Sequence, residues 1–139
     1  MNNLNMIYLD SNVFIYLLIY ESDLEESVKK ADYYLDLLVT GKIVGYTCTL
    51  TWDEVFYIVK RSIGIEEAGQ AGKALLAFPN LKFVNVDFDI ISNAQKIAQG
   101  FNIMPRDAIH AACALEYCNG EIISNDLDFD GIKGLKRKF

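Results

Sequence analysis

Short apolar segments alternate with longer amphipathic segments along the chain, and this alternation limits the possible folds more than any other feature. The short segments are rich in β-branched and aromatic residues, as strands are, and the longer ones repeat apolar residues at helical spacing. The candidate strands are IYL from Ile7, Ile43 to Tyr46, KFVNV from Lys82, EIIS from Glu121 and an edge-strand candidate, GLKRKF from Gly134. No hairpin signal joins them, so the sequence predicts an α/β fold with a mostly parallel sheet covered by helices on both faces.

The predicted helices begin at capping residues or proline and end at glycine, proline or an Asn-Gly pair. They run from Val13 after a cap at Ser11 or Asn12, from the capping box Ser22-Asp23-Leu24-Glu25 to before Gly41, from Thr51 to Gly64, from Ile65 to before Pro79, from Phe88 after the cap Asp87 to before Gly100, and from Pro105 to Cys118. Neither repeats nor an internal linker interrupt this pattern, so we expect a single domain over residues 1–139.

Composition places the chain among soluble globular proteins. The apolar fraction of 52% excludes a disordered chain, and the longest apolar run, from Val13 to Tyr20, is too short to span a membrane. The start MNNLNM carries no basic residue, so we expect a cytoplasmic protein without membrane association. Three cysteines without C-x-x-C spacing argue against a disulfide framework and a zinc knuckle. A net charge of −6 disfavours a basic nucleic-acid-binding module, although bound cations would offset an acidic site.

Four acidic residues occupy positions that a parallel α/β sheet brings towards one edge. Asp10 and Asp126 follow predicted strands, whose carboxyl ends are where ligands bind in such sheets. Asp107 lies in the first turn of a predicted helix, and Glu54 lies near the start of another. Each has a structural alternative: Asp10 as a helix cap, Glu54 in the capping box Thr51-x-x-Glu54, and Asp107 in favourable contact with the helix dipole. Capping alone does not explain acids at both strand exits.

Competing motifs fail on their details. GQAGKALL, from Gly69, resembles part of a phosphate-binding loop but lacks its spacing and its Ser or Thr. Asp126-x-Asp128-x-Asp130-Gly131 matches the first half of a calcium-binding EF-hand loop, but the twelfth position is Arg137 instead of Glu. The single histidine, His110, follows Asp107 by three residues; it either neighbours the site or is a satisfied core histidine.

The remaining candidate is a site made only of oxygen ligands. Carboxylates that converge repel one another unless a cation or a shared proton compensates, and oxygen ligands suit Mg²⁺ or Mn²⁺. Such sites support phosphodiester hydrolysis without a protein nucleophile. Asp128 and Asp130 are further candidates for water-mediated metal contacts, and Arg106 is either a phosphate contact or a solvated residue at a helix start.

Four blocks together resemble the PIN-domain family, and specifically the VapC-like toxin ribonucleases of toxin–antitoxin pairs. They are, in order, IYLDSNVFIYLL, TLTWDEVFYIV, PRDAIHAACALE and IISNDLDFDGIKGLKR, and they cover essentially the whole chain. The resemblance implies a three-layer α/β/α domain and a catalytic, metal-binding acidic quartet: Asp10, Glu54, Asp107 and Asp126. It also implies that Asn12 and Ser124 orient a carboxylate, a water or the phosphate, and it favours Glu54 over the adjacent Asp53.

The same resemblance implies a function and partners. A VapC-like protein is a Mg²⁺- or Mn²⁺-dependent endoribonuclease that cleaves RNA, dimerises and is inhibited by a cognate antitoxin. The first predicted helix is apolar nearly all round from Val13 to Tyr20, as expected of a helix covered by a partner or buried within the domain. The alternatives are a PIN-like nuclease of RNA processing and a noncatalytic RNA-binding or interaction module.

Overall fold

A computed structural model describes residues 5–19 and 26–139 as five strands and six α-helices. The strands are β1 (Met6–Leu9), β2 (Val44–Cys48), β3 (Leu81–Val84), β4 (Glu121–Ile123) and β5 (Lys136–Lys138). The helices are α1 (Ser11–Ile19), α2 (Glu26–Val39), α3 (Thr49–Ser62), α4 (Ile65–Leu76), α5 (Phe88–Phe101) and α6 (Pro105–Tyr117), with a 3₁₀ turn at Leu127–Gly131. The capping box predicted at residues 22–25 lies outside the described residues.

All five strands are parallel and follow the order β3-β2-β1-β4-β5. In the centre of the sheet, Tyr8 on β1 pairs with Tyr46 on one side and with Ile122 on the other. The chain leaves β1 towards β2, and β4 lies on the opposite side of β1. The carboxyl ends of β1 and β4 therefore form a topological switch point, which is the usual place for a ligand site in such a sheet.

Alternate residues of the central strands pack against different helices. Tyr8 and Ile122 belong to a core cluster with residues of α5 and α6. Leu9 and Ile123 belong to a second cluster with residues of α1, α2, α3 and α4. Since both faces of these strands are buried, the strands are almost uniformly apolar. The three-layer α/β/α arrangement and the parallel sheet confirm the predicted fold.

Several predicted helix ends are wrong, because tertiary contacts move them. α1 begins at Ser11 instead of Val13, with Asp10 accepting a hydrogen bond from the Ser11 amide. α5 continues through Gly100 to Phe101 and ends at Asn102, which adopts a left-handed conformation with φ of 52°. The predicted cap Asp87 is confirmed, since its side chain accepts a hydrogen bond from the backbone amide of Ile90.

The start of α3 differs from the prediction in a way that bears on the site. The helix begins at Thr49, so Thr51 is its third residue and its hydroxyl contacts the Thr47 hydroxyl at 2.6 Å. Thr51 therefore cannot be the N-cap of a capping box, and Glu54 lies in the second turn. The structural alternative for Glu54 is thus excluded.

The GQAGKALL segment lies within α4 instead of forming a loop. A Cβ atom on Gly72 would lie 2.9 Å from the Trp52 Nε1 atom, so the small residue permits close packing of α4 on α3. The segment is therefore part of a packed helix and does not form a phosphate-binding loop.

Two further observations concern composition. Within the described ranges, no helix combines the length and the apolar character needed to cross a membrane. Cys48, Cys113 and Cys118 are all free thiols buried in the core.

Candidate functional site

Asp10 lies where β1 ends at the switch point. Its backbone amide donates to the Ile123 carbonyl at 3.0 Å, which extends the pairing of β1 with β4 by one residue. The side chain is 5% exposed and accepts hydrogen bonds from the Ser11 amide at 2.8 Å and the Ser124 hydroxyl at 2.6 Å. Burial raises the pKa of Asp10, although these hydrogen bonds and His110 oppose the rise. The sheet therefore presents a buried carboxylate whose charge is only partly stabilised by its neighbours, and a bound cation would stabilise it further.

Ser124 connects the first acid to the segment that follows β4. Besides donating to Asp10, its hydroxyl accepts hydrogen bonds from Asn12 Nδ2 at 3.2 Å and from the Asp126 amide at 3.0 Å. The Asn12 Oδ1 atom in turn accepts a longer hydrogen bond from the backbone amide of Asn125 at 3.5 Å. Asn12 and Ser124, both predicted as orienting residues, thus lie together between Asp10 and Asp126.

Three carboxylates form a tight group beside this network. Asp107 at the start of α6, Asp126 after β4 and Asp128 in the 3₁₀ turn each offer an oxygen atom, and these atoms lie within 4.8 Å of one another. Asp126 is also the cap of the turn, accepting a hydrogen bond from the Asp128 amide at 2.9 Å. Convergence of oxygen ligands at this spacing suits a hard divalent cation.

The electrostatics of Asp107 extend this group to the other predicted acids. Burial raises the pKa of Asp107 to about 7, and the carboxylates of Asp126, Asp10 and Glu54 contribute to the rise, against an opposing effect of His110. The three other acids of the predicted quartet therefore all act on Asp107. Neighbouring carboxylates favour either a retained proton or a bound cation, so the donor set fits Mg²⁺ or Mn²⁺.

Glu54 approaches the site through a histidine. Its Oε1 atom lies 2.5 Å from the His110 Nε2 atom, which also lies 3.5 Å from Asp10 Oδ1. The adjacent Asp53 is instead largely exposed, with its carboxylate 3.9 Å from the Arg106 guanidinium. The structure therefore separates Glu54, which faces the predicted site, from Asp53, which forms a surface ion pair.

His110 is a site neighbour that sequence reasoning did not select. The residue is fully buried, and its Nδ1 atom lies 2.6 Å from the Tyr8 hydroxyl. Burial lowers the pKa of His110, but Asp10, Cys48 and Glu54 outweigh it and raise the pKa well above its usual value. Its position three residues after Asp107 was the available signal, because residues at this spacing share one face of a helix. Both alternatives left open for this residue hold, since it is satisfied in the core and touches the acids.

The remaining candidates separate into site and support. Arg106 is exposed and its guanidinium lies 3.9 Å from the Asp53 carboxylate, which is compatible both with a solvated residue at a helix start and with a phosphate contact. Asp130 accepts two hydrogen bonds from Arg137, at 2.7 and 3.0 Å, and the Arg137 guanidinium lowers its pKa. Arg137 also donates to the Ser124 carbonyl at 3.1 Å. Asp130 is therefore engaged in holding the loop, whereas Asp128 lies in the carboxylate group.

Several solved structures have a similar fold. VapBC2 from Rickettsia felis, bound to a DNA fragment from its promoter, matches with a TM-score of 0.72 and 16% identity over 96% of this chain and 97% of that chain. VapC20 from Mycobacterium tuberculosis, a Sarcin-Ricin loop cleaving toxin, matches with a TM-score of 0.73 and 16% identity, covering 93% and 96%. A toxin–antitoxin complex from Klebsiella pneumoniae matches with a TM-score of 0.67 and 23% identity, covering 94% and 95%.

At these identities the structural likeness shows the fold alone. A comparison with curated protein sequences gave no significant match. The sequence profile of the PIN domain, however, matches residues 7–135, a range that includes Asp10, Glu54, Asp107 and Asp126 and extends from β1 to the segment before β5. The chain therefore belongs to the PIN-domain family.

Proposed function

We propose that this protein is a metal-dependent endoribonuclease and the toxin of a toxin–antitoxin pair. The observation that carries the proposal is the group formed by Asp107, Asp126 and Asp128, within 4.8 Å of one another. It lies beside Asp10, and the pKa of Asp107 is raised to about 7 by burial and by the surrounding carboxylates. Carboxylates that converge at the switch point of a parallel sheet, one of them with a pKa raised by burial and by its neighbours, support a site built for a cation.

The residues have distinct roles in this proposal. Asp10, Glu54, Asp107 and Asp126 are the catalytic and metal-binding quartet, with Asp128 as a further metal contact. Bound Mg²⁺ or Mn²⁺ supplies the chemistry of lowering the pKa of an attacking water and neutralising charge on the phosphate. Ser124 keeps one oxygen of Asp10 in place through the 2.6 Å hydrogen bond.

One structural neighbour supports RNA as the substrate. The VapC20 neighbour is a Sarcin-Ricin loop cleaving toxin, which favours RNA over DNA. The net charge of −6 includes the acids that a cation would offset, so it does not exclude a polyanionic substrate. A noncatalytic binding module is a weaker alternative, because such a module has no need to keep four mutually repelling acids. The other alternative, an RNA-processing nuclease outside a toxin–antitoxin pair, would use the same acidic site.

The proposal also includes protein partners in the cytoplasm: a cognate antitoxin and a second copy of this chain. Structural neighbours from Rickettsia felis and Klebsiella pneumoniae were solved as toxin–antitoxin complexes. The chain presents an apolar groove between α1, α2 and α4, lined by Phe14, Leu17, Leu18, Leu35, Leu75 and Phe78 among others. Leu17 and Leu18 are each 39% exposed, so α1 keeps apolar surface that a partner can cover.

Cleavage of a labelled RNA panel tests the enzyme proposal. Purified wild-type protein and Asp10→Asn are each incubated with Mg²⁺, Mn²⁺ or EDTA. We expect the wild-type protein to cleave at least one RNA only when metal is present, and Asp10→Asn to lose at least about 100-fold in rate, because the buried carboxylate is replaced by a neutral amide.

Two other outcomes of this experiment have different meanings. Equal cleavage by both proteins identifies a contaminating nuclease. Absence of cleavage across a broad panel, in a wild-type protein that binds Mn²⁺, contradicts the enzyme and favours the noncatalytic module.

A further inference from the structure

We propose that His110 is a positioning residue whose Nε2–H group holds the Glu54 carboxylate in its metal-binding orientation, with the Tyr8 hydroxyl fixing the ring. The inference rests on the proposed function, because it assigns a role within the same site. It concerns residues that three separate elements bring together: Tyr8 on β1, Glu54 on α3 and His110 on α6.

The contacts of the ring define one orientation. The His110 side chain is completely buried, with Nδ1 at 2.6 Å from the Tyr8 hydroxyl and Nε2 at 2.5 Å from Glu54 Oε1. Asp10 Oδ1 lies 3.5 Å from the same Nε2 atom, and Cys48 Sγ lies 3.8 Å from Nδ1. A ring fixed at both nitrogen atoms cannot turn without breaking a short hydrogen bond.

The chemistry of the partners fixes the position of the proton. A carboxylate oxygen can only accept, so the contact with Glu54 requires a proton on Nε2. The Tyr8 hydroxyl can donate to a bare Nδ1 or accept from a protonated one, and either arrangement leaves the Nε2 proton in place. Burial raises the pKa of Tyr8 far above its usual value, so the hydroxyl keeps its own proton.

Support of this kind suits Glu54 in particular. The residue lies in the second turn of α3, and its side chain has three rotatable bonds that are ordered only by contacts. The ring engages Oε1 of the carboxylate, and the proposal assigns the second oxygen atom to the cation. Outer residues that orient a ligating carboxylate typically change metal affinity about 10- to 100-fold when they are replaced.

The single histidine makes the proton position directly measurable. In protein labelled with ¹⁵N-histidine, two-dimensional ¹H–¹⁵N spectra of the imidazole contain signals from His110 alone. We expect Nε2 to carry a proton in the wild-type protein, with or without Mn²⁺. A neutral ring protonated only on Nδ1 overturns the inference, and this readout needs no variant.

Two amide variants separate positioning from simple filling of space. The glutamine amide nitrogen is as many bonds from Cα as Nε2 is, so His110→Gln can still donate to Glu54. The asparagine amide reaches only the Nδ1 position, so His110→Asn cannot. With Mn²⁺ binding followed by calorimetry, we expect His110→Asn to lose about tenfold in affinity and His110→Gln to stay within about threefold of wild type.

A double-mutant cycle with Glu54→Gln completes the test. If His110 acts through Glu54, adding His110→Asn to Glu54→Gln lowers Mn²⁺ affinity by less than about twofold, whereas an independent effect multiplies. The inference is overturned if the losses of Mn²⁺ affinity from the two substitutions multiply, or if His110→Asn binds Mn²⁺ as tightly as wild type. The proposed function still stands in either case, provided that the wild-type protein binds Mn²⁺ and cleaves RNA. A wild-type protein that binds no Mn²⁺ contradicts the proposed function itself.

Discussion

Each carboxylate of the site is held by different neighbours, so equal substitutions have different consequences. Asp10 is buried and accepts hydrogen bonds from Ser11 and Ser124. The pKa of Asp107, in contrast, is raised chiefly by burial and by the other acids. Losing a donor to Asp10 therefore destabilises the fold. Losing the charge of Asp107 relieves repulsion in the metal-free protein.

Ser124→Ala tests the support of Asp10. The change removes the donor to Asp10 Oδ2 and the acceptor for Asn12 and the Asp126 amide. We expect the free energy of unfolding to fall by about 1–3 kcal/mol, measured by urea denaturation in EDTA. Ser62→Ala, at an exposed position in the last turn of α3, serves as the control and should change it by less than about 0.5 kcal/mol. Equal effects of the two substitutions contradict the hydrogen-bond network.

The raised pKa of Asp107 predicts a pH dependence of stability in the metal-free protein. Because the folded state binds the proton more tightly, the stabilising contribution of Asp107 is complete below its ordinary pKa of 3.8 and is lost as the pH rises to about 7. Asp107→Asn should therefore match wild type near pH 4 and exceed it at pH 8, by about 1 kcal/mol after screening by solvent.

Chemical denaturation of both proteins in EDTA, at a series of pH values, measures this difference. If the wild-type protein is at least as stable as Asp107→Asn at pH 8, the acids do not repel one another in the folded protein. The other titrating groups are common to both proteins, so their contribution largely cancels.

At the scale of elements, the helix that carries Glu54 depends on close packing against a neighbouring helix. α4 packs on α3, which carries Glu54, and Gly72 allows that approach because a Cβ atom there would meet the Trp52 and Phe56 rings. Gly69, one turn earlier on α4, faces open space, since a Cβ atom at that position would have no neighbouring atom within 4 Å. A side chain would therefore be tolerated at Gly69 but would disturb the packing at Gly72, although both glycines lie in one helix.

Gly69→Ala and Gly72→Ala form a matched pair. Alanine is the better helix former, so Gly69→Ala should raise the free energy of unfolding by about 0.5–1 kcal/mol. Gly72→Ala should lower it by about 1 kcal/mol or more, because its methyl group would lie 2.9 Å from Trp52 Nε1. Thermal and urea unfolding measure both, and stabilisation by both substitutions contradicts the described packing of α4 on α3.

Helix ends show where local sequence reasoning reaches its limit. The Asp87 cap follows from a local pattern and was predicted. The start of α3 was not, because the Thr51 hydroxyl is satisfied by Thr47 in the buried strand instead of by its own helix. Gly100 is compatible with the helix interior, and Asn102 supplies the left-handed residue that ends α5.

At the scale of the whole molecule, the parallel α/β architecture follows from the alternation of segments, since few connections satisfy it. The order of the strands and the contacts between distant segments do not follow from that pattern. Tyr8 and His110 are 102 positions apart, and His110 and Glu54 are 56 apart. The sequence therefore predicts which acids gather at the sheet edge and leaves open whether the His110 ring lies among them.

The most direct test of the central claim compares two neighbouring acids that the fold separates. Glu54→Gln and Asp53→Asn remove the same charge, but only Glu54 faces the site, while Asp53 pairs with exposed Arg106. RNA cleavage rates are measured for both variants and wild type over a Mn²⁺ titration. The account predicts a loss of at least about 100-fold for Glu54→Gln and a change of less than about threefold for Asp53→Asn. Equal losses, or a loss confined to Asp53→Asn, contradict it.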